Sequence, residues 1–271
     1  MIVRMIFSGL DLARRLERAE ALAGSRFVEA RNHISPEIGA CWIEAAGIRA
    51  IFDGPSSPAT QTFGLGLFAD LTPSDLDRIE AFFRERRASV THEVSPLAGV
   101  PVADLLSRRG YHPVEFSSIM YKPIDEHFMP REPNPRLTIR LAGPGEEELY
   151  SETSLRGWAM PEFAEFLRNL GRAIAQCEGA LSFFALLDGQ PVATAVLRCD
   201  DGVAFMAGAS TVPEARRLGA QRALFDARLQ LARERGCDIA IMGAEPGSSS
   251  QRNAEREGFR VAYTRTKWQM A

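Results

Sequence analysis

The sequence predicts a mixed α/β protein with two domains. Its 271 residues exceed the roughly 100–200 residues of a typical domain. Stretches with the two-residue period of strands alternate with stretches that repeat about every 3.6 residues, as helices do. Three prolines within residues 127–136 disfavour a helix there and indicate an extended connector. We therefore predict a first domain over residues 1–126, a proline-rich linker over 127–136 and a second domain over 137–271.

The second half shows the clearest strand signals. Two aspartate–glycine turns, Asp188-Gly189 and Asp201-Gly202, separate alternating apolar runs, and glycine tolerates the positive φ that tight hairpins need. An acidic first turn after Gly145 indicates one or two helices up to about residue 175. The predicted strands of this part are residues 137–141, 181–187, 192–197 and 203–209.

The pattern then becomes helical. Apolar residues recur at offsets 0, 3, 4, 7 and 11 from Ala220, which is the stripe of a helix that ends near Gly236. Residues 239–242 follow as a short apolar strand, and serines begin a second helix over 248–258. Residues 259–268 return as a strand. The second half is therefore a strand meander followed by helix, strand, helix and strand.

The first half repeats part of this order. Helices are predicted at 75–87 and 101–109, and strands at 90–94 and 114–121. Landmarks in the two halves keep a nearly constant separation, which is 149 residues for Arg86 and Arg235, 150 for Pro96 and Pro246, and 148 for Gly110 and Gly258. Such agreement indicates a degenerate internal duplication. A chance recurrence of the same element order is the alternative.

Composition excludes several classes of protein. Hydrophobic residues make up 45% of the chain and include 16 phenylalanines, so enough apolar surface exists for folded cores. Lysine and arginine total 32 against 35 aspartates and glutamates, so the chain has no excess positive charge for coating a phosphate backbone. We therefore expect no nucleic-acid partner.

The cysteines and the apolar runs indicate the cellular compartment of the protein. Four cysteines are scattered singly, without a disulfide framework or a Cys-x-x-Cys clip, which favours the reducing cytoplasm. The four histidines are equally isolated, so we expect no metal site. No stretch approaches the roughly 18 apolar residues of a membrane span, and no signal-type apolar block begins the chain. We therefore predict a cytoplasmic protein without a membrane partner.

The segment from Arg216 to Arg222 is the strongest candidate binding element. It joins a strand to a helix, and the first turn of a helix leaves backbone N–H groups without partners at the positive end of the helix dipole. Gly219 would let an anionic group approach the backbone closely, and three arginines add positive charge. These residues predict a phosphate or pyrophosphate site. A plain helix start with solvated arginines is the alternative.

The same residues resemble a family signature. Arg216-Arg-Leu-Gly219-Ala-Gln221 is similar to the Arg/Gln-x-x-Gly-x-Gly/Ala motif of the GNAT superfamily of acyl-CoA-dependent N-acyltransferases, and Val212-Pro213 precedes it as in that family. The strand meander upstream and Gly258-Phe259 downstream also follow the family's order, so the resemblance covers residues 137–271. It implies two GNAT-like domains, each a mostly antiparallel sheet flanked by helices, of which only the second has kept the phosphate turn.

By this resemblance the second domain would bind acetyl-CoA as a cosubstrate. The end of the third strand would pair with the pantetheine arm, and the turn would donate N–H groups to the pyrophosphate. The implied cofactor-binding residues are Ser210, Thr211, Val212, Arg216, Arg217, Leu218, Gly219, Ala220, Gln221, Arg222 and Asn253. Asn253 is equally compatible with a solvated helix position.

The chain departs from the family pattern at two positions. Gln221 stands where the motif has a small residue, and Ala254 stands where many members carry a tyrosine that protonates the departing CoA thiolate. Tyr263, on the last predicted strand, is the candidate substitute for this acid. Glu245, just after the apolar strand 239–242, is the candidate general base, with a loop carboxylate paired to an arginine as the alternative. A backbone N–H of the third strand would stabilise the oxyanion.

The resemblance thus implies an acetyl-CoA-dependent N-acetyltransferase whose acceptor is a small-molecule or peptide amine. Trp158 lies where the family places its acceptor pocket, with core packing as the alternative. A non-catalytic acyl-CoA-binding or regulatory module is the rival function, because the usual acid is missing. In the first half, the acidic stretch 71–75 lacks a glycine turn, so we expect a structural role there. The acceptor stays open, and a homodimer is compatible with the sequence.

Overall fold

The computed structural model describes residues 6–270, which form two compact units. Unit 1 contains the chain up to Tyr121 together with the segment from Gly243 onwards, and unit 2 is Lys122–Met242. The segment after Met242 therefore belongs by its contacts to unit 1, whereas the sequence prediction placed it in the second domain. The predicted linker, residues 127–136, lies within unit 2. The predicted mixed α/β class is confirmed.

Unit 1 is a sheet with helices packed against it. Its strands lie in the order β1-β2-β3-β4-β11-β5, and β3 and β4 are parallel while the other described pairs are antiparallel. Its elements are α1 (Leu10–Ile34), β1 (Cys41–Ala45), β2 (Ile48–Phe52), β3 (Gln61–Phe63), α2 (Pro73–Glu85), β4 (Thr91–Val94), α3 (Val100–Arg108), β5 (Tyr111–Pro123), α7 (Ser249–Arg256) and β11 (Arg260–Met270). The sequence prediction missed α1, β1 and β2.

Strand β11 explains why the segment after Met242 joins unit 1. It is antiparallel to both of its neighbours, with Trp268 opposite His92 on β4 and Tyr263 opposite Ile119 on β5. The alternating pattern of β11 predicted a strand, but a local pattern does not specify which strand it pairs with. The pairing therefore had to be read from the structure.

Unit 2 contains five neighbouring strands and three α-helices. Its strands lie in the order β10-β9-β8-β7-β6, with β9 and β10 parallel and the others antiparallel. Its elements are β6 (Leu137–Leu141), α4 (Glu147–Trp158), α5 (Ala164–Gln176), β7 (Leu181–Leu187), β8 (Gln190–Asp200), β9 (Val203–Thr211), α6 (Ala220–Glu234) and β10 (Ile239–Ala244), whose last two residues belong to unit 1. The predicted hairpin turns are confirmed, since Asp188, Gly189, Asp201 and Gly202 all have positive φ.

The two halves of the chain repeat one order of elements. The first half runs β1-β2-β3-α2-β4-α3-β5, and the second runs β7-β8-β9-α6-β10-α7-β11. In each, the third and fourth strands are parallel and joined by a helix. The predicted repetition is therefore present in the fold. No helix within residues 6–270 is long and apolar enough to cross a membrane.

Candidate cofactor-binding and catalytic site

A tight turn in unit 2 connects β9 to α6. Pro213–Ala215 form a single 3-10 turn, and the backbone then takes the left-handed conformation at Arg217 (φ 66°) and at Gly219 (φ 92°). We call residues 216–219 the β9–α6 turn. Glycine at position 219 avoids the strain that an L side chain meets at this φ.

The conformation of Gly219, and not crowding by the protein, requires a glycine. A Cβ atom at this position would meet Leu137 Cδ1 at 3.9 Å, which is an ordinary contact, and no other heavy atom of the described chain within 4 Å. The sequence had suggested close approach of a ligand as the reason for this glycine. The structure adds that the backbone dihedral alone demands it.

The first turn of α6 is open to an anion. Gly219 supplies no side-chain cap, so the leading N–H groups of α6 keep their partial positive charge. Arg217 and Arg222 flank this helix start, and both side chains are exposed and form no ion pair within residues 6–270. Uncapped N–H groups with two available arginines fit the diphosphate of a CoA thioester.

The equivalent helix of the first half has the opposite electrostatics. Thr72 caps α2, because its side chain accepts a hydrogen bond from Asp75 N at 3.3 Å, and Thr72 N donates to Asp75 Oδ2 at 3.0 Å. The Thr72 hydroxyl, which donates to Asp75 Oδ2 at 2.6 Å, and the Thr72 N–H lower the pKa of the Asp75 carboxyl, which stays ionised at the helix start. A diphosphate would meet this carboxylate at α2, so the geometry disfavours an anion site there.

Strand β9 leaves a free edge beside this turn. Its parallel ladder with β10 ends after three residue pairs, the last being Phe205 and Ile241. Toward β8 it stays paired but bulges, since Thr194 faces Ser210 while Val196 faces Ala207. Bulges of this kind redirect backbone groups and are common beside functional sites. The outer edge of β9 therefore offers backbone N–H and C=O groups to an extended ligand.

Three predicted ligand residues lie at the end of β9, and they differ in availability. Val212 N donates to Val192 O of β8 at 2.9 Å, so this N–H is not available to a ligand. Because N–H groups alternate along a strand, the N–H of Thr211 points to the opposite edge. The Ser210 hydroxyl is buried and donates to Ser154 O at 3.0 Å. Thr211 is thus the residue whose N–H faces the free edge.

Arg216 holds the turn in place. Its Nε donates to Thr211 O and its Nη2 to Gly157 O, each at 3.2 Å. Gly157 packs so closely on β9 that a Cβ atom would lie 2.4 Å from Ser210 Oγ and 2.9 Å from Thr211 N. Arg216 therefore joins three chain segments. The sequence prediction missed Gly157, although an isolated glycine in a helical pattern is a signal of close approach.

Three large apolar side chains lie exposed where α4 ends. Trp158 is 39% exposed, Met160 37% and Phe163 50%. Core packing was the alternative interpretation of Trp158, and this exposure does not support it. These side chains follow Gly157, the residue that packs against the end of β9.

The remaining predicted site residues belong to unit 1. Glu245 follows β10, is exposed, and forms no ion pair within the described residues. Asn253 is half-buried on α7. Tyr263 is 7% exposed, and its hydroxyl donates to Glu17 Oε1 at 2.8 Å.

Tyr263 lies in a buried network of charges in unit 1. Arg265 Nη1 lies 3.3 Å from Glu17 Oε2 and 2.7 Å from Glu20 Oε2, and its Nε lies 2.9 Å from Glu93 Oε2. Burial and the neighbouring Glu17 carboxylate raise the pKa of Tyr263 well above its ordinary value. A phenol that is buried and already donating to a carboxylate is poorly suited to protonate a leaving thiolate. The acid role of Tyr263 stays a prediction, and this geometry counts against it.

The side chains of residues 6–270 include no group of three or more His, Cys, Asp or Glu arranged to hold a metal ion. The donor groups at the β9–α6 turn are backbone N–H groups and arginines, which bind anions.

Comparison with known proteins places these features in context. Residues 146–246 match a family model described as an acetyltransferase (GNAT) domain. The chain is similar in structure to a GCN5-related N-acetyltransferase from Kribbella flavida, with 17% identity over 98% of this chain and 96% of the other and a TM-score of 0.68. It is also similar to a tandem GNAT protein from the clavulanic acid biosynthesis pathway, with 14% identity, 82% and 77% coverage and a TM-score of 0.58. No curated protein gives a significant match.

Proposed function

We propose that the protein is an acetyl-CoA-dependent N-acetyltransferase, since residues 146–246 match the model of an acetyltransferase (GNAT) domain. The observation that carries the proposal is the uncapped start of α6 behind the β9–α6 turn. There, N–H groups of residues 218–222 would bind the diphosphate of acetyl-CoA, and Arg217 and Arg222 would neutralise its charge.

The pantetheine arm is proposed to lie along the free edge of β9. An extended arm with two amide groups can add to a strand edge as a further strand would. Thr211, whose N–H faces that edge, would then contact the arm. This placement directs the thioester toward the bulge around Gly208, where β9 has no partner on its outer side.

The proposed chemistry is direct transfer. The neutral amine attacks the thioester carbonyl carbon, a C–N bond forms, and the C–S bond breaks to release the CoA thiolate. A backbone N–H at the β9 bulge would donate to the carbonyl oxygen as negative charge develops on it. A general base would take the proton from the amine, and water would protonate the thiolate. Glu245 stays the candidate that the sequence predicts for this base. Tyr263 takes no part in this scheme, because its hydroxyl is committed to Glu17.

The acceptor is proposed to be a small-molecule or peptide amine. The exposed Trp158, Met160 and Phe163 would provide apolar contacts for it next to the end of β9. A second candidate function is a non-catalytic acyl-CoA-binding or regulatory module. Two observations favour it, namely Ala254 at the position of the family's usual acid and the engagement of Tyr263 by Glu17.

Calorimetry with acetyl-CoA, followed by a thiol-release assay on a panel of amines, tests both functions. Binding with CoA release supports the transferase, and binding without release from any amine supports the module. An absence of binding refutes both.

A charge-reversal pair tests the location of the site. Arg222→Glu alters the first turn of α6, whereas Arg235→Glu makes the same change of net charge just past its last turn. We expect Arg222→Glu to weaken acetyl-CoA binding by about tenfold or more, because one charge-assisted contact becomes repulsive. Arg235→Glu should change affinity little. Equal effects of the two variants would contradict the assigned site.

A further inference from the structure

The proline-rich segment is bound along α6 and is not a free linker. We call residues 128–134 the strap. Arg233 Nη1 donates to Phe128 O, Arg131 binds Asp226 through Nη2 at 2.7 Å and Nε at 2.9 Å, and Asn134 Nδ2 donates to Leu218 O at 3.2 Å. All of these residues belong to unit 2.

The spacing of these contacts shows that strap and helix run antiparallel in matched steps. Successive contacts are three residues apart on the strap, and seven and then eight residues apart along α6 and its preceding turn. Three extended residues span about 10 Å, and seven helical residues rise about 10.5 Å. The prolines at 130 and 133 favour the extended conformation that this match needs. The strap thus reaches the β9–α6 turn at a defined position.

The middle contact anchors the strap firmly. The side chain of Asp226 is 6% exposed, so its carboxylate is nearly removed from water. The forked guanidinium of Arg131 binds both of its oxygens, and Arg131 N also donates to Oδ2 at 3.3 Å. Bidentate pairs of this kind are directional as well as strong. The residues that follow, including Asn134, are therefore held close to the turn.

Asn134 is oriented by its own neighbours. Its Oδ1 accepts a hydrogen bond from Arg136 N at 3.1 Å, which leaves Nδ2 to donate to Leu218 O. Leu218 O belongs to the peptide unit that carries the N–H of Gly219. In a trans peptide the C=O and N–H point in opposite directions. By holding the oxygen, Asn134 orients the Gly219 N–H away from itself.

We propose that Asn134 is a positioning residue for recognition of the donor's diphosphate. It holds the Leu218–Gly219 peptide in the orientation in which the Gly219 N–H can donate to a phosphate oxygen. The inference rests on the proposed function, because it takes the β9–α6 turn to be the diphosphate site. Its specific consequence is that Asn134 matters for donors that carry a diphosphate and not for a pantetheine thioester that lacks one.

The test compares acetyl-CoA with S-acetylpantetheine on the full chain. For Asn134→Ala we expect the Kd of acetyl-CoA to rise about 3- to 10-fold, which is the loss of one hydrogen bond. The affinity for S-acetylpantetheine, measured by competition, should stay unchanged. The matched control is Arg136→Gln, which removes an exposed ion pair with Asp188. Within residues 6–270 the Arg136 side chain makes no hydrogen bond or ion pair with the β9–α6 turn. It should leave both affinities unchanged.

Two results would overturn the proposal. One is an unchanged affinity of Asn134→Ala for acetyl-CoA, and the other is an equal loss for both ligands. If Asn134→Ala does not fold, Asn134→Ser serves instead, because its shorter side chain can accept from Arg136 N but cannot reach Leu218 O. A wild-type protein that does not bind acetyl-CoA would refute the proposed function itself, which separates the two failures.

Discussion

The buried carboxyl group of Glu17 should make the stability of this protein fall as the pH rises toward neutrality. Burial raises the pKa of Glu17 from 4.5 to about 7, with Arg265 acting in the opposite direction. The folded state then binds this proton more tightly than the unfolded state does. The resulting stabilisation is complete below the unfolded pKa of 4.5 and is lost as the pH rises through about 7.

The size of the effect follows from the same two values. A pKa difference between 4.5 and about 7 corresponds to roughly 3 kcal/mol once the group is ionised in both states. Part of this stabilisation has already been lost at pH 5, so the free energy of unfolding should fall by roughly 2–3 kcal/mol between pH 5 and pH 8. This is a large share of the stability of a typical domain, about 5–15 kcal/mol.

Glu17→Gln removes the titration but keeps the shape of the side chain and an acceptor for the Tyr263 hydroxyl. Urea unfolding of wild type and variant at pH 5 and pH 8 gives the difference in unfolding free energy at each pH. We expect the wild type to lose roughly 2–3 kcal/mol relative to the variant over this range. Glu29→Gln, which removes an exposed pair with Arg26 on the same helix, is the control and should show no such change. Parallel pH profiles for wild type and Glu17→Gln would refute the reasoning.

Three further predictions concern packing and catalysis. Tyr263→Phe should lower the free energy of unfolding by about 1–2 kcal/mol, because the buried Glu17 loses a hydrogen-bond donor. Turnover should stay within about twofold. A fall in kcat of about a hundredfold would instead support Tyr263 as the general acid. Gly157→Ala should destabilise unit 2 by about 1–3 kcal/mol and weaken acetyl-CoA binding, because the new Cβ would overlap the end of β9. The control is Gly143→Ala, whose Cβ would meet no atom closer than Glu146 Oε2 at 3.4 Å, and it should have neither effect. Thr72→Ala should cost about 1 kcal/mol, measured by thermal unfolding, through loss of the α2 cap.

Local patterns predicted those elements whose structure depends on near neighbours in the chain. The Asp188-Gly189 turn is an example, because two residues that accept positive φ are enough to specify a tight hairpin. The start of α6 after Gly219 is another, since glycine is the residue best suited to the backbone found there. In both cases the governing physics acts within a few residues.

Helix α1 was missed for a physical reason. Its buried face includes Glu17, Ser25 and Arg31 in addition to apolar residues, so its apolar stripe is interrupted. Those polar groups are satisfied by distant partners, as when Arg31 pairs with Asp53 at 3.1 Å. The periodicity of one segment does not indicate partners that lie elsewhere in the chain.

In the candidate site, too, the sequence predicted the local backbone feature but not the contacts between distant residues. The motif located the β9–α6 turn, but it did not reveal that the exposed Arg216 also binds Thr211 O and Gly157 O. Nor did it identify Asn134, which lies 84 residues before the carbonyl it binds. Spacing along the chain carries no information about contacts of this kind.

The position of β11 between β4 and β5 has a consequence for how the chain folds. His92 on β4 is paired with Trp268, which is 176 residues further along the chain. The sheet of unit 1 therefore remains incomplete during synthesis until residues 260–270 have left the ribosome, with β4 and β5 each lacking a neighbour. Contacts this distant in sequence slow folding, and unpaired strand edges invite association with other chains. We expect the first half expressed alone to aggregate and a folding helper to be needed most during this interval.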